Sequence, residues 1–252
     1  MNNVVTRQNA ILYGGGPICG AVAQAFAREG AAVFLAGRNR AKLAAIADAI
    51  LSTGGRVEIA EVDALDEQAV DAHADAVAAQ AGSIDISLNL ISYGDVQGTP
   101  LAEMSLADFE QPISTAVRTM FLTTRAAARH MIRQKSGVIL FWGGEGDPLR
   151  DYYIGGFQIA LHAVEAMRRQ LSAELGRHGI RLVTLRTGGV PETIEGDFEG
   201  REAMVASLEE ATMLGRTATL ADVGNVAAFV ASDQARTMTA ATVNVSCGAI
   251  ID

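Results

Sequence analysis

Short apolar segments alternate with longer helical patterns along almost the whole chain, and no other feature constrains the fold as much. The strand candidates are nearly all apolar, as strands covered on both faces must be. They are Ala10 to Tyr13, Ala32 to Ala36, Val57 to Val62, Ile86 to Leu90, Val138 to Trp142, Leu182 to Leu185 and Thr242 to Val245. The helix candidates are Ile18 to Glu29, Ala41 to Leu51, Glu67 to Ala81, Leu106 to Gln134, Ile159 to Arg177 and Ala221 to Ser232. This alternation predicts an α/β fold: a doubly wound, Rossmann-like sheet of seven parallel strands in three layers, α/β/α.

The size of the chain is that of one such domain. With 252 residues, of which 49% are hydrophobic, it can bury a large core without division, and we expect one domain over 1–252. The stretch 188–216, rich in Gly and Glu, interrupts the alternation after the sixth strand. We interpret it as a possible substrate lid.

Charge and composition argue against several classes of partner. A net charge of −9 without a large basic patch disfavours nucleic acids and anionic membranes. The polar N-terminus and the absence of a run of 18 apolar residues indicate a cytoplasmic protein. Cys19 and Cys247 are too few for a disulfide framework and are interpreted as free thiols. The four histidines lack metal-ligand spacing, so we predict no metal site.

A glycine-rich turn follows the first strand. It consists of Gly14, Gly15 and Gly16, then Pro17, Ile18 and Cys19, and ends at Gly20. Glycine at a strand-to-helix turn lets the backbone approach a pyrophosphate, and the helix N-terminus offers free N–H groups. A tight turn that binds nothing would look the same.

The end of the second strand favours NADP over NAD. Gly37 cannot supply the carboxylate that would bind a ribose 2′-hydroxyl, whereas Arg38 offers a planar cation suited to a 2′-phosphate. The alternative is an ordinary solvated surface arginine.

The order and spacing of these motifs resemble the short-chain dehydrogenase/reductase family over essentially the whole chain. The turn is similar to the family's Thr-Gly-x-x-x-Gly-x-Gly, with Tyr13 at the Thr and Ile18 at the middle Gly. Asn89 is what remains of Asn-Asn-Ala-Gly, and the 188–193 stretch is similar to the segment beside the nicotinamide. The resemblance implies NADP(H) as cofactor, bound by Gly14, Gly16, Ile18, Gly20, Arg38, Asn39, Asp63, Asn89, Val190 and Thr193.

The same alignment puts unsuitable residues at the family's four catalytic positions. Phe157 and Leu161 replace the tyrosine and lysine, Gly144 replaces the serine and Ala116 replaces the asparagine. Phe157 has no hydroxyl to protonate a carbonyl oxygen, and Leu161 has no ammonium to depress a tyrosine pKa or hold the nicotinamide ribose.

Other residues near these positions are candidates for the lost chemistry. Tyr153 precedes Phe157 by four and is the candidate catalytic residue, although Gly155 and Gly156 are expected to interrupt the helix there. His162 is turned about 100° from the active face. The loop entering the helix also carries Glu145, Asp147, Asp151 and Tyr152.

Two functions remain open. One is an NADP(H)-linked oxidoreductase that acts by a non-standard mechanism on a small apolar substrate. The other is a non-redox protein, a pseudoenzyme that binds NADP(H) or a small ligand, which would suit the apolar residues expected in the pocket: Leu90, Ile91, Trp142, Phe157 and Leu161.

The family resemblance also implies a homodimer or homotetramer formed through the two long helices and the last strand. An apolar stripe on those helices is expected to form the interface. Its members are Ala126, Met131, Ala163, Val164 and Met167.

Overall fold

A seven-stranded parallel sheet forms the centre of the protein, as predicted. The computed structural model describes residues 4–143, 153–194, 196 and 200–251. The strands are β1 (Asn9–Tyr13), β2 (Ala32–Gly37), β3 (Arg56–Glu61), β4 (Ile86–Asn89), β5 (Gly137–Gly143), β6 (Ile180–Thr187) and β7 (Ala241–Val245). Their order in the sheet is β3-β2-β1-β4-β5-β6-β7, and every neighbouring pair is parallel. The Rossmann-like fold class is therefore confirmed.

Helices follow the strands. They are α1 (Pro17–Arg28), α2 (Arg40–Ser52), α3 (Glu67–Ala81), α4 (Leu106–Gln134), α5 (Phe157–Leu175), α6 (Arg201–Glu210) and α7 (Leu220–Ala231). α6 lies inside the stretch interpreted as a lid and was not predicted. α5 begins two residues earlier than expected and ends at Leu175, because Gly176–His178 form a separate 3-10 turn. No helix in the described ranges combines the length and the apolar character needed to cross a bilayer.

The two faces of the sheet carry separate cores. On one face, residues such as Ile11, Phe141 and Leu182 pack against α3, α4 and α5. On the other, Leu12 and Val183 pack with α1, α2 and α7. Burial on both faces explains why the central strands are almost uniformly apolar. β3, at the sheet edge, alternates exposed and half-buried residues over most of its length.

The residues predicted to form the apolar interface stripe on the two long helices are wrong. Ala126, Met131 and Val164 are at most 1% exposed, because they face the sheet and form the core beneath α4 and α5. Met167 also packs against that core, and Ala163 is half-buried. The large apolar side chains that these helices expose are instead Leu106, Phe121 and Ile159, at 69%, 47% and 43% exposure.

A buried ion pair joins α5 to β6. Glu165 and Arg168 are 5% and 2% exposed, and the guanidinium donates to both carboxylate oxygens. Thr184 on β6 donates a further hydrogen bond to Glu165 at 2.7 Å. A buried pair of this kind stabilises a fold little compared with apolar packing. Removal of one partner, however, leaves the other charge buried without a counter-charge.

Replacement of Glu165 alone should therefore cost more than replacement of both partners. We expect Glu165→Leu to lower the free energy of unfolding by about 3 to 5 kcal/mol, because the Arg168 guanidinium loses its carboxylate. In the double variant Glu165→Leu/Arg168→Met neither charge of the pair is left, and most of the loss should be recovered. Urea unfolding of the wild type, the two single variants and the double variant measures the effect. A loss in the double variant equal to the sum of the two single losses would contradict the prediction.

The same pair should make stability depend on pH. Burial by itself raises the pKa of Glu165, but hydrogen bonds from Arg168 and Thr184 hold that pKa below its ordinary value. Such a carboxylate stabilises the fold above its unfolded pKa of about 4.3, and the contribution is lost as the pH falls through the folded pKa. Between pH 7 and pH 3 the free energy of unfolding should fall further in the wild type than in the double variant, as measured by urea unfolding at both pH values.

Candidate cofactor and substrate site

A cavity of about 220 Å³ lies at the carboxyl edge of the sheet, where the strand order reverses between β1 and β4. Open α/β sheets bind their ligands at this kind of crevice. One wall is the first turn of α1, from Gly16 to Cys19, and the other is the chain after β4, from Asn89 to Tyr93 with Asp95. Trp142, Phe157, Leu161 and Thr193 complete the lining.

The glycine turn is built around close backbone contacts. Gly14 has φ +138°, and a Cβ on it would lie 2.7 Å from the carbonyl oxygen of Leu90. Its N–H donates to the Ala36 carbonyl at 2.8 Å. Only glycine fits here without strain, so the turn holds the start of α1 against the ends of β2 and β4.

The N-terminus of α1 is open toward the crevice. Its N-cap, Gly16, has no side chain to cap the helix, Pro17 has no N–H, and the first turn carries no acidic residue. A Cβ on Gly16 would meet nothing within 4 Å, which leaves room for close approach. The N–H groups of Ile18 and Cys19 therefore remain available, at the positive end of the helix dipole. This arrangement fits the diphosphate of a dinucleotide.

Gly20 has a different role from the rest of the motif. It lies inside α1, and a Cβ there would be 3.4 Å from Cγ1 of Ile46 on α2. Its small size permits α1 and α2 to pack closely.

The residues expected to hold the adenosine half follow β2 and β3. Arg38 is exposed directly after β2. Asn39 caps α2, its side-chain oxygen accepting from the Lys42 N–H at 3.0 Å. Asp63 is exposed, and its carboxylate accepts from the Leu65 N–H at 3.0 Å. An arginine cation and a carboxylate at these two loops suit an adenosine that carries a 2′-phosphate.

Asn89 and the segment after β6 form the inner boundary of the site. The Asn89 side chain is buried, donates to the Thr123 hydroxyl at 3.3 Å and accepts from the Ile91 N–H at 2.9 Å. The Val190 carbonyl accepts from both the N–H and the hydroxyl of Thr193, at 2.9 and 2.8 Å. These bonds orient Thr193 in the cavity wall.

Of the four residues predicted to occupy the family's catalytic positions, two lie together in the cavity. Phe157 and Leu161 both line it, one turn apart on α5. Ala116 is fully buried in the core and is not part of the lining. Gly144 lies outside the described residues, as do Glu145, Asp147, Asp151 and Tyr152. The five apolar residues expected in the pocket all line this cavity.

Tyr153 lies outside the cavity lining. It precedes α5, which begins only after Gly155 and Gly156, and its side chain is 45% exposed. Its carbonyl accepts from the Gly98 N–H at 2.7 Å. His162 is exposed, and its ring nitrogen Nδ1 lies 2.8 Å from the Gln158 carbonyl, away from the cavity.

Sequence reasoning missed Tyr93. This residue is 8% exposed, lines the cavity, and its ring centroid lies 6.0 Å from that of Phe157. Its position four residues after Asn89, at the carboxyl edge of β4, was the available signal. Ser92 and Asp95 also line the cavity and were not predicted.

The two cysteines are both free. Cys19 is buried, and its thiol lies 3.3 Å from the Gly14 carbonyl oxygen. Burial raises the pKa of Cys19 to about 12. The thiol is therefore neutral and is not suited to act as a nucleophile. Within the described ranges, no group of three or more His, Cys, Asp or Glu side chains could hold a metal ion.

Comparison with known proteins gives a consistent result. A family model described as enoyl-(acyl carrier protein) reductase matches residues 16–249. Galactitol 2-dehydrogenase of Rhizobium johnstonii is 28% identical over 244 residues, which are 96% of this chain and 94% of that protein. The 3-oxoacyl-(acyl-carrier-protein) reductase of Chlamydia pneumoniae is 27% identical over 251 residues, 98% of this chain and 99% of that one.

Solved structures agree with the fold. Levodione reductase superposes with a TM-score of 0.87 at 24% identity, covering 96% of this chain and 97% of that chain. A dehydrogenase/reductase from Sinorhizobium meliloti has a TM-score of 0.85 at 25% identity, covering 98% and 97%. The crevice geometry, the match over residues 16–249 and these relatives together show that the chain belongs to the short-chain dehydrogenase/reductase family.

Proposed function

We propose that the protein is an NADP(H)-linked oxidoreductase that acts on a small apolar substrate without the family's Asn-Ser-Tyr-Lys set. The observation that carries this proposal is the shared edge: the open N-terminus of α1, Arg38 and the apolar cavity all lie at the carboxyl ends of the strands. Diphosphate, 2′-phosphate and a small substrate could thus be bound side by side.

The relatives support redox chemistry but not a particular substrate. Those named above are a sugar-alcohol dehydrogenase, a reductase of carrier-bound oxoacyl groups and a levodione reductase. Their substrates share a carbonyl–alcohol pair and little else. The substrate of this chain therefore has to be inferred from its own cavity.

In this proposal the cofactor is held by the ten residues predicted for it. The α1 turn with Gly14, Gly16, Ile18 and Gly20 supplies or shapes the diphosphate site. Arg38, Asn39 and Asp63 take the adenosine phosphate and ring, and Asn89, Val190 and Thr193 border the nicotinamide. When bound, the reduced cofactor supplies a hydride.

The chain's own residues set limits on the reaction. Phe157, Leu161 and Trp142 exclude water and give no charge to the nicotinamide ribose. A placed proton donor is typically worth about 10² to 10⁴ in rate, so its loss slows hydride transfer without abolishing it. An already activated substrate, such as an enone or an iminium ion, suits such a site best. Tyr153, an acid of the loop before α5, or water are candidate proton sources.

We also propose that α6 and the chain around it form a lid. A Cβ on Gly189 would lie 2.7 Å from Cδ2 of Leu208, so α6 contacts the backbone beside the cavity-lining Thr193. α6 has no buried residue. Weakly packed elements are those that open and close over ligands.

A second candidate function is a non-redox binding protein. The observation that favours it is the apolar pair Phe157 and Leu161 at the positions where proton transfer would need polar groups. Oxidation of saturating NADPH across a panel of carbonyls and enones separates the two. Turnover with product formation supports the oxidoreductase, whereas tight NADPH binding with no turnover on any member supports the binding protein.

The cofactor preference should depend on Arg38. We expect NADPH to bind more tightly than NADH by about 1 to 3 kcal/mol, because a guanidinium makes charge-assisted hydrogen bonds to the 2′-phosphate. Arg38→Ala should erase this preference and leave NADH affinity unchanged. Calorimetric titration with both cofactors measures it.

Arg56→Ala is the matched control for that experiment. Arg56 begins β3 at the amino edge of the sheet and donates to the Gly30 carbonyl at 3.1 Å, so its loss should leave the preference intact. Equal affinities for the two cofactors in the unmutated protein would refute the role given to Arg38.

The protein should form a homodimer or homotetramer through the outer faces of α4 and α5. Phe121 is 47% exposed on α4, so Phe121→Lys should place a charge in the interface and reduce the mass toward the 26.4 kDa monomer. Phe229→Lys is the control, since Phe229 is similarly exposed, at 43%, but lies on α7. Light scattering at micromolar concentration measures both, and a monomeric wild type would contradict the proposal.

A further inference from the structure

One residue of the cavity lining carries an acidic hydroxyl that the fold does not use. Most polar side chains in its lining already have a partner: Cys19 with the Gly14 carbonyl, Asn89 with Thr123 and Ile91, Asp95 with Gln97, and Thr193 with Val190. The Tyr93 hydroxyl makes no hydrogen bond to any residue in the described ranges. Ser92 is exposed, and an aliphatic hydroxyl is a far weaker acid than a phenol.

The position of Tyr93 is close to where a catalytic phenol is missing. Its ring and that of Phe157 are tilted by 45° with centroids 6.0 Å apart, and both line the same cavity. Gly94 follows with φ +73°, which turns the chain back directly after the tyrosine. Tyr93 as a whole is 8% exposed, yet its hydroxyl oxygen is not fully enclosed. The hydroxyl is therefore anchored by its ring and still accessible.

We propose that Tyr93 is the proton donor of this protein and that its ligand is a small neutral carbonyl compound, a ketone or an enone. This inference rests on the proposed function. When bound, the reduced cofactor would supply a hydride to the electrophilic carbon of the substrate, and the electrons of the carbonyl π bond would move to its oxygen. That oxygen takes the proton of the Tyr93 hydroxyl, and solvent water returns a proton to the phenolate.

The electrostatics of the cavity fit a donor of this kind. Burial raises the pKa of Tyr93 to about 12, so the phenol keeps its proton at neutral pH. An alkoxide is a stronger base than a phenolate, and transfer to it is downhill. The other titratable side chains in the described lining are Cys19 and Asp95. With Cys19 neutral, a neutral carbonyl meets no opposing charge near Tyr93 other than Asp95, whose carboxylate is bound to Gln97.

The chain offers a probe that needs no cofactor. Trp142 is its single tryptophan and lines the cavity, so ligand binding can be followed by its fluorescence. We expect 2-cyclohexen-1-one to bind about 5- to 10-fold more tightly than cyclohexene, the fold-change of one neutral hydrogen bond. In Tyr93→Phe this preference should disappear, while the affinity for cyclohexene stays unchanged. In the infrared spectrum of the bound ketone, the frequency shift of the carbonyl stretch that a hydrogen bond causes should also disappear.

Tyr13→Phe is the matched control. It also removes a buried phenol, but Tyr13 lies in the core with its hydroxyl 3.5 Å from His73, outside the cavity lining. This variant should keep the carbonyl preference. Tyr93→Phe should unfold at the temperature of the wild type, because the deleted hydroxyl has no protein partner. A wild type without carbonyl preference, or a preference that survives in Tyr93→Phe, would overturn the proposal.

Turnover gives the second readout. If the wild type reduces a carbonyl with NADPH, kcat in Tyr93→Phe should fall by about 10² to 10⁴, and Phe157→Tyr added to that variant should restore part of it. An unchanged kcat in Tyr93→Phe, or a comparable loss in Tyr153→Phe alone, would overturn the assignment. If the wild type binds no NADPH, the proposed function fails while the fluorescence result still decides whether Tyr93 binds carbonyls.

Discussion

The contact between the first turn and the end of β4 determines where everything else in the site can lie. Gly14 approaches the Leu90 carbonyl so closely that a Cβ would be 2.7 Å from it, and the Leu90 N–H in turn donates to the Tyr13 carbonyl at 2.7 Å. These contacts hold β1 and β4 together while their following segments separate, α1 to one side and the 90–105 loop to the other. The crevice exists because the two segments diverge from a fixed point, and the open helix end and Tyr93 both line it.

The fold was predictable because local and global signals agree. α3 and α4 have the predicted limits, Glu67–Ala81 and Leu106–Gln134, since Asp66 and Ser105 cap their first turns and residues in the left-handed region end them. α6 was missed for the opposite reason: it buries no residue, so its sequence carries no apolar stripe to detect. The interface stripe was misassigned because periodicity alone does not distinguish a face turned to the core from one turned outward.

The site was predictable only where it follows from strand ends. Phe157, Leu161, Leu90, Ile91 and Trp142 could be placed in one cavity from the family alignment, and the structure brings them together. Tyr93 could not, because its direction is set by the turn at Gly94 and by the ring of Phe157, neither of which has a periodic signal. A loop side chain acquires its role from tertiary contacts, which a single sequence does not contain.

The apolar side chain at position 161 is connected to charges behind the cavity wall. Leu161 lines the substrate cavity on one side and, on the other, a small void shared with Glu165, Thr184 and Arg186. An ammonium at position 161 would lie close to the buried guanidinium of Arg186, and the two positive charges would repel each other. An apolar residue at position 161 avoids this repulsion. The described lining of the cavity holds no cation that would lower the pKa of a phenol there, and burial raises the pKa of Tyr93. A phenol of that kind can give a proton to a developing alkoxide but cannot take one from an alcohol at neutral pH, which makes the cavity better suited to reduction than to oxidation.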